Sequence, residues 1–148
     1  MRPIPEAYGG AGAGFTELGI VAQEMGRALF CGPFLSTAVL AAAALVESGD
    51  DNARRRWLPA IAAGELIATL AIPGTLPADW EVTARHSEAD GWALDGTAGF
   101  VLDGHVADLI LVPAATAEGT SLFWTCGTAP GLARTPLSGG RSRRSARG

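Results

Sequence analysis

The 148-residue chain has no lysine; its eleven cations are all arginine, against fifteen carboxylates, for a net charge of −4. Without a Gly-Lys-Ser/Thr element there is no phosphate cradle, and the acidic balance excludes nucleic acid as the implied partner. Cysteine is nearly absent. Cys31 and Cys126 stand far apart with no CxxC spacing, so neither a zinc site nor a secreted disulfide framework is supported, and a cytoplasmic location is expected. Histidine is as scarce. His86 and His105 are isolated in sequence, which predicts surface residues and no metal site. Long apolar runs are missing too: the longest, at 38–46, is far short of the ~20 residues that span a bilayer, and the N-terminus lacks the apolar stretch of a signal peptide. What is plentiful is side chain for a core, with 48% apolar and 18% charged residues, a balance outside the disordered class.

The charge is uneven. Residues 1–132 carry all fifteen acids and six arginines, whereas 133–148 carry five arginines and no acid, so 138–148 reads as a disordered basic tail. The Gly-rich start, Tyr8-Gly9-Gly10-Ala11-Gly12-Ala13-Gly14, is a loop. Position 15 is Phe where a third dinucleotide-binding Gly would sit, and no strand precedes it. From there Phe15, Leu18, Ala22, Met25 and Leu29 recur at helical spacing, predicting a helix over about 16–30 with Thr16 as N-cap. A second helix over 34–47 is apolar almost all round and must be buried on several sides. A third, capped by Asp50 or Asp51, should turn Trp57, Leu58 and Ile61 inward and Arg54, Arg55 and Arg56 to water, with a kink or restart at Pro59. Strands follow at 66–72, 80–85, 91–94, 100–102, 109–112 and 122–125, punctuated by Asp90-Gly91, Asp95-Gly96 and Asp103-Gly104 as hairpin turn signals. The fold class is α+β: an N-terminal helical segment followed by a partial antiparallel β domain, divided at 1–65, 66–137 and the tail 138–148.

No catalytic pair declares itself. Glu17, Glu24, Glu47 and Glu65 have the spacing of caps and solvated helix faces, and each cysteine reads as a small packed or incidental thiol.

A resemblance reaches further. Ile4-Pro5-Glu6-Ala7-Tyr8-Gly9-Gly10-Ala11-Gly12, Glu24-Met25-Gly26-Arg27-Ala28, and Leu58-Pro59 followed by Gly64-Glu65 resemble the N-terminal helical domain of the acyl-CoA dehydrogenase family. The stretch 91–104, with Ala107-Asp108 and Leu111-Val112 beyond it, is similar to the part of that family's middle β domain that passes the flavin. The resemblance implies a flavoprotein oxidoreductase of fatty acid metabolism, using FAD for α,β-dehydrogenation of acyl-CoA thioesters. In such an enzyme a carboxylate removes the α proton while a β hydride passes to the flavin. It further implies acyl-CoA and an electron-transfer partner, and a homo- or hetero-oligomer.

In the family a C-terminal four-helix bundle supplies the catalytic glutamate, and further helices precede the Pro-Glu-x-Tyr-Gly-Gly loop. The chain is therefore expected to be an internal fragment, inactive alone, with no catalytic residue of its own. The alternative is a non-catalytic subunit or binding module that partners a full-length dehydrogenase. Leu70, Ile72, Phe100 and Val101 match positions beside the flavin. The family's Thr-Glu pair falls on Pro73 and Gly74, and its polar residue after the aromatic falls on Leu102.

Overall fold

The computed structural model describes residues 3–72, 82–88 and 91–136; Pro73, Gly74, Asp90 and the tail 138–148 lie outside them. A 3-10 turn at Glu6–Tyr8 precedes helix α1, Phe15–Arg27. A π-helical run, Leu35–Ala41, leads without a break into α2, Ala42–Glu47, and α3 spans Asp51–Ala62. Strands β1 (Ala68–Leu70), β2 (Val82–Ser87), β3 (Gly91–Gly96), β4 (Leu109–Thr116) and β5 (Gly119–Cys126) make one sheet. The chain is thus α+β in the expected order.

The sheet is mixed rather than antiparallel. β5 pairs antiparallel with the whole of β4, from Leu109↔Cys126 to Thr116↔Gly119. β1 and β2 therefore share the other edge of β4 end to end, and both run parallel to it; β3 pairs antiparallel with β2. Two-residue periodicity identifies a strand but carries no information on its direction, and here a hairpin lies inside the crossover from β1 to β4.

Each face of the sheet has its own core. Leu109 and Leu111 of β4, with Ala68 of β1, meet Ala41, Ala42, Leu45, Leu58 and Ile61 of the helices. The alternate residues Ile110, Val112 and Ala114 meet Ala71, Val82, Ala84 and Ala107 on the opposite side. Residues 109–112 are the most buried run of the sheet, because β4 is central. β3 is one exposed edge, with Trp92, and β5 is another, with Leu122 and Trp124. An aromatic cluster ties that edge to α3: the Trp57 and Trp124 rings meet edge to face at 5.1 Å, and the Arg56 guanidinium lies 4.6 and 4.7 Å from their centroids. Such stacking fixes a neighbouring element without backbone bonds.

Local chemistry explains several departures from the sequence pattern. Asp50 caps α3, its Oδ1 accepting from the N–H groups of Asn52 and Ala53 at 2.8 and 3.1 Å. Arg54 does not face water. It donates to the carbonyls of Leu45 and Val46 at 3.3 and 2.6 Å and pairs with Asp51, closing the open end of α2. The α3 helix runs through Pro59 to Ala62 without restarting there. In α1 the N-cap is Gly14, not Thr16, because the Glu17 carboxylate reaches back to the Gly14 N–H at 2.7 Å.

The 100–102 stretch is not a strand: Phe100 and Asp103 both take φ +53°, which ends regular pairing. Asp95-Gly96 belongs to β3, paired with Thr83 and Val82, rather than forming a hairpin turn. The apolar stripe of α1 reaches no core: Leu18 and Met25 are half-buried and Phe15 is exposed, as are Ile20 and Val21 beside the stripe, and the helix has no fully buried residue.

Candidate functional site

The stretch 91–104, expected to pass the flavin, comprises β3 and most of the turn 97–106 between β3 and β4. The turn's geometry is set by residues outside it. Thr69, fully buried on β1, donates its hydroxyl to the Leu102 carbonyl at 2.6 Å. Ser36, fully buried in the π-helical run, donates to Asp103 Oδ2 at 2.7 Å. Its neighbour Thr37 caps the start of β1, accepting from the Ala68 N–H at 3.1 Å and donating to the Ala68 carbonyl at 2.9 Å. Beyond the turn, Asp108 accepts from the Ile67 N–H at 3.0 Å. Arg134 donates to the carbonyls of His105 and Ala107 at 3.0 and 2.9 Å, and to that of Gly127. None of these polar anchors follows from a motif. The signal that marks them is simpler: Ser36, Thr37 and Thr69 are hydroxyls inside runs apolar enough to be buried, where each must find a partner.

The four residues matched to the flavin fall into two pairs. Leu70 packs against the helix-side core and Val101 against the opposite one. Ile72 and Phe100 face solvent, at 51% and 69% exposure. Each of the two offers exposed apolar surface of the sort a flat conjugated ring needs. The buried hydroxyls Ser36, Thr37 and Thr69 are committed to protein partners.

Several of the described acids have defined surroundings. The Glu17 carboxyl lies below its ordinary pKa because the backbone N–H groups of Glu17 itself and of Gly14 point at it. Glu24 pairs with Arg27 at 3.4 Å and Asp51 with Arg54 at 2.9 Å. Asp50, Asp103 and Asp108 hold the contacts given above. Glu47 and Glu65 are exposed. His86 is exposed on β2, its ring 5.1 Å from that of Trp92, and His105 is exposed in the turn. Both cysteines are free and exposed. Among the described residues no three metal-ligating side chains gather, and no helix is long and apolar enough to cross a membrane. A groove of about 400 Å³ lies between the α2–α3 turn and β5, lined by Leu45, Asp50, Ala53 and Trp124 among others. Among its described lining residues the one carboxylate is the Asp50 cap.

Comparison with known proteins places these features. Residues 1–65 match the family described as "Acyl-CoA dehydrogenase, N-terminal domain". The chain is 36% identical over 134 residues to acyl-CoA dehydrogenase FadE27 of Mycobacterium tuberculosis, covering 90% of the chain and 35% of that protein. It superposes on the ChsE4–ChsE5 complex from Mycobacterium tuberculosis with a TM-score of 0.80 at 35% identity, over 92% of the chain and 37% of the solved one. A glutaryl-CoA dehydrogenase from Mycobacterium smegmatis, solved with FADH2, matches at a TM-score of 0.58 and 29% identity, over 65% of the chain and 26% of that one. The chain thus spans little more than a third of the length of FadE27.

Proposed function

We propose, from the premise that this chain belongs to the acyl-CoA dehydrogenase family, that it forms one wall of an FAD and acyl-thioester site. The reaction served is FAD-dependent α,β-dehydrogenation of an acyl-CoA, in which bound FAD supplies the hydride acceptor. The observation that carries this is the exposed Phe100 ring on a turn fixed at both Leu102 and Asp103. Phe100 and Ile72 cover one face of the flavin and exclude water from it. Val101 and Leu70 hold their neighbours against the two cores.

The base that takes the α proton is assigned to another segment, because Glu17, Glu24, Asp50, Asp51, Asp103 and Asp108 serve as caps, ion pairs and turn anchors, and Glu47 and Glu65 are exposed. Two free, exposed thiols suit a reducing compartment, so the working location is the cytoplasm. A homo- or hetero-oligomer and an electron-transfer partner complete the unit in this reading. The division at 65/66 is assigned as the border between helical and β portions.

The test uses the purified 148-residue chain. It should be colourless as isolated, should quench added FAD fluorescence weakly and saturably, and should lose that quenching in Phe100→Ala. With FAD, acyl-CoA and an artificial acceptor it should give no turnover. Acyl-CoA-dependent reduction by the chain alone, surviving further purification, would overturn the assignment of the base to another polypeptide segment.

A further inference from the structure

The turn that lifts Phe100 is held in a conformation its own residues disfavour. Phe100 and Asp103, three positions apart, both sit at φ +53°. A side-chain-bearing residue there costs of order 1–3 kcal/mol and persists only where its surroundings over-determine it. Two backbone bonds close the turn, Gly104 N–H to the Val101 carbonyl at 3.2 Å and Val106 N–H to the Asp103 carbonyl at 3.1 Å. What fixes it to the rest of the molecule is remote in sequence. The Ser36 hydroxyl meets Asp103 across 67 positions of chain.

Ser36 has a second acceptor, the Pro33 carbonyl at 3.0 Å. Its single proton favours the closer, charged carboxylate. The wide π-helical turns at Leu35–Ala41 bring two successive hydroxyls, Ser36 and Thr37, to the sheet side of a helix that is otherwise apolar. Single turns of this kind are frequent at functional sites.

We infer that Ser36 is a positioning residue: by holding the Asp103 carboxylate it sets the turn that presents the Phe100 ring as a preformed face for a flat conjugated ligand. The helical half of the chain thereby controls a surface on the sheet half. The ligand side of this inference rests on the flavin reading of Phe100 given above; the positional side does not.

Two readouts on the full chain test it. The first is amide exchange at Gly104 and Val106, whose bonds close the turn, with Ala71 as reference because its N–H bonds the Leu111 carbonyl inside the sheet. Ser36→Ala should speed exchange at the first two about tenfold and leave Ala71 unchanged, as expected for loss of one hydrogen bond to a charged group. Asp103→Ala should do the same. Asp103→Asn, which keeps an acceptor and tolerates the left-handed conformation, should stay within about twofold of the unmodified chain.

The second readout is quenching of free FAD, which Ser36→Ala should weaken about tenfold and Asp103→Asn should retain. Unchanged exchange at Gly104 and Val106 in Ser36→Ala overturns the inference. So does equal acceleration at Ala71, or an Asp103→Asn variant that behaves like Asp103→Ala. If Phe100→Ala leaves FAD quenching untouched while Ser36→Ala still frees the two amides, the flavin reading falls and the positioning of the turn by Ser36 stands.

Discussion

Helices α1 and α3 are written in the same grammar and meet different fates. Both carry apolar residues at helical spacing and a carboxylate at the N-terminal turn. Yet α3 sinks Leu58 and Ile61 into the core beside Leu109 and Leu111, while α1 buries no residue at all. An apolar stripe therefore reports that a face is built for burial, not what will cover it. Helix α3 finds its partner in the sheet. Among the described residues, α1 fully buries none of its stripe.

The sharpest way to break this contrast is to cut equal amounts from each helix. Leu58→Ala, at a site with no exposed surface, should cost about 2–5 kcal/mol in chemical denaturation. Ile20→Ser on α1, more than half exposed, should change the midpoint by less than about 0.5 kcal/mol and lower the binding of a hydrophobic dye. Comparable losses at the two sites would mean that α1 is docked in solution.

Removal of the α3 cap comes next in size. Asp50→Ala should cost about 1 kcal/mol, since the Asn52 and Ala53 N–H groups lose their acceptor. A gain of similar size is expected in α1. Leu29 follows the helix at φ +48° and is 85% exposed, with the Phe30 N–H bonded back to the Met25 carbonyl. This is the left-handed position that glycine fills at many helix ends. Leu29→Gly should raise the helicity of α1, read by circular dichroism, by an amount equivalent to about 1 kcal/mol.

The smallest effect is electrostatic. Because the Glu17 pKa is lowered on folding, its contribution is complete above the ordinary glutamate value and is lost as pH falls through the lowered one. Acidification through that window should fray the first turn of α1. Glu17→Gln should abolish that response.

How legible all this is in the sequence depends on the range of the interaction. Helix and strand order, the Asp50 cap and the exposed histidines follow from local pattern, because caps and periodicity act within a few residues. The family resemblance likewise rides on contiguous motifs, and matches to 90% or more of the chain bear it out. Strand direction, the central place of β4 and the clamp on the Phe100 turn are not local. Ser36 and Asp103 lie 67 residues apart, and nothing adjacent to either names the other. The 100–102 stretch misleads for a related reason: Phe-Val-Leu has the composition of a strand, but tertiary bonds at Leu102 and Asp103 hold it in a turn. Of the four residues matched to the flavin, the sequence could not separate the two that pack from the two that face out.

The stack of Arg56 on Trp57 and Trp124 joins one helix to the edge strand β5 through rings alone, and this makes the molecule its own optical gauge. Two indoles 5.1 Å apart are close enough for their transitions to couple and yield a paired circular dichroism band that neither ring gives by itself. Peeling β5 away from α3 would erase that band while the helical signal persisted. An unlabelled sample could then show whether the β5 edge opens before the core does or together with it.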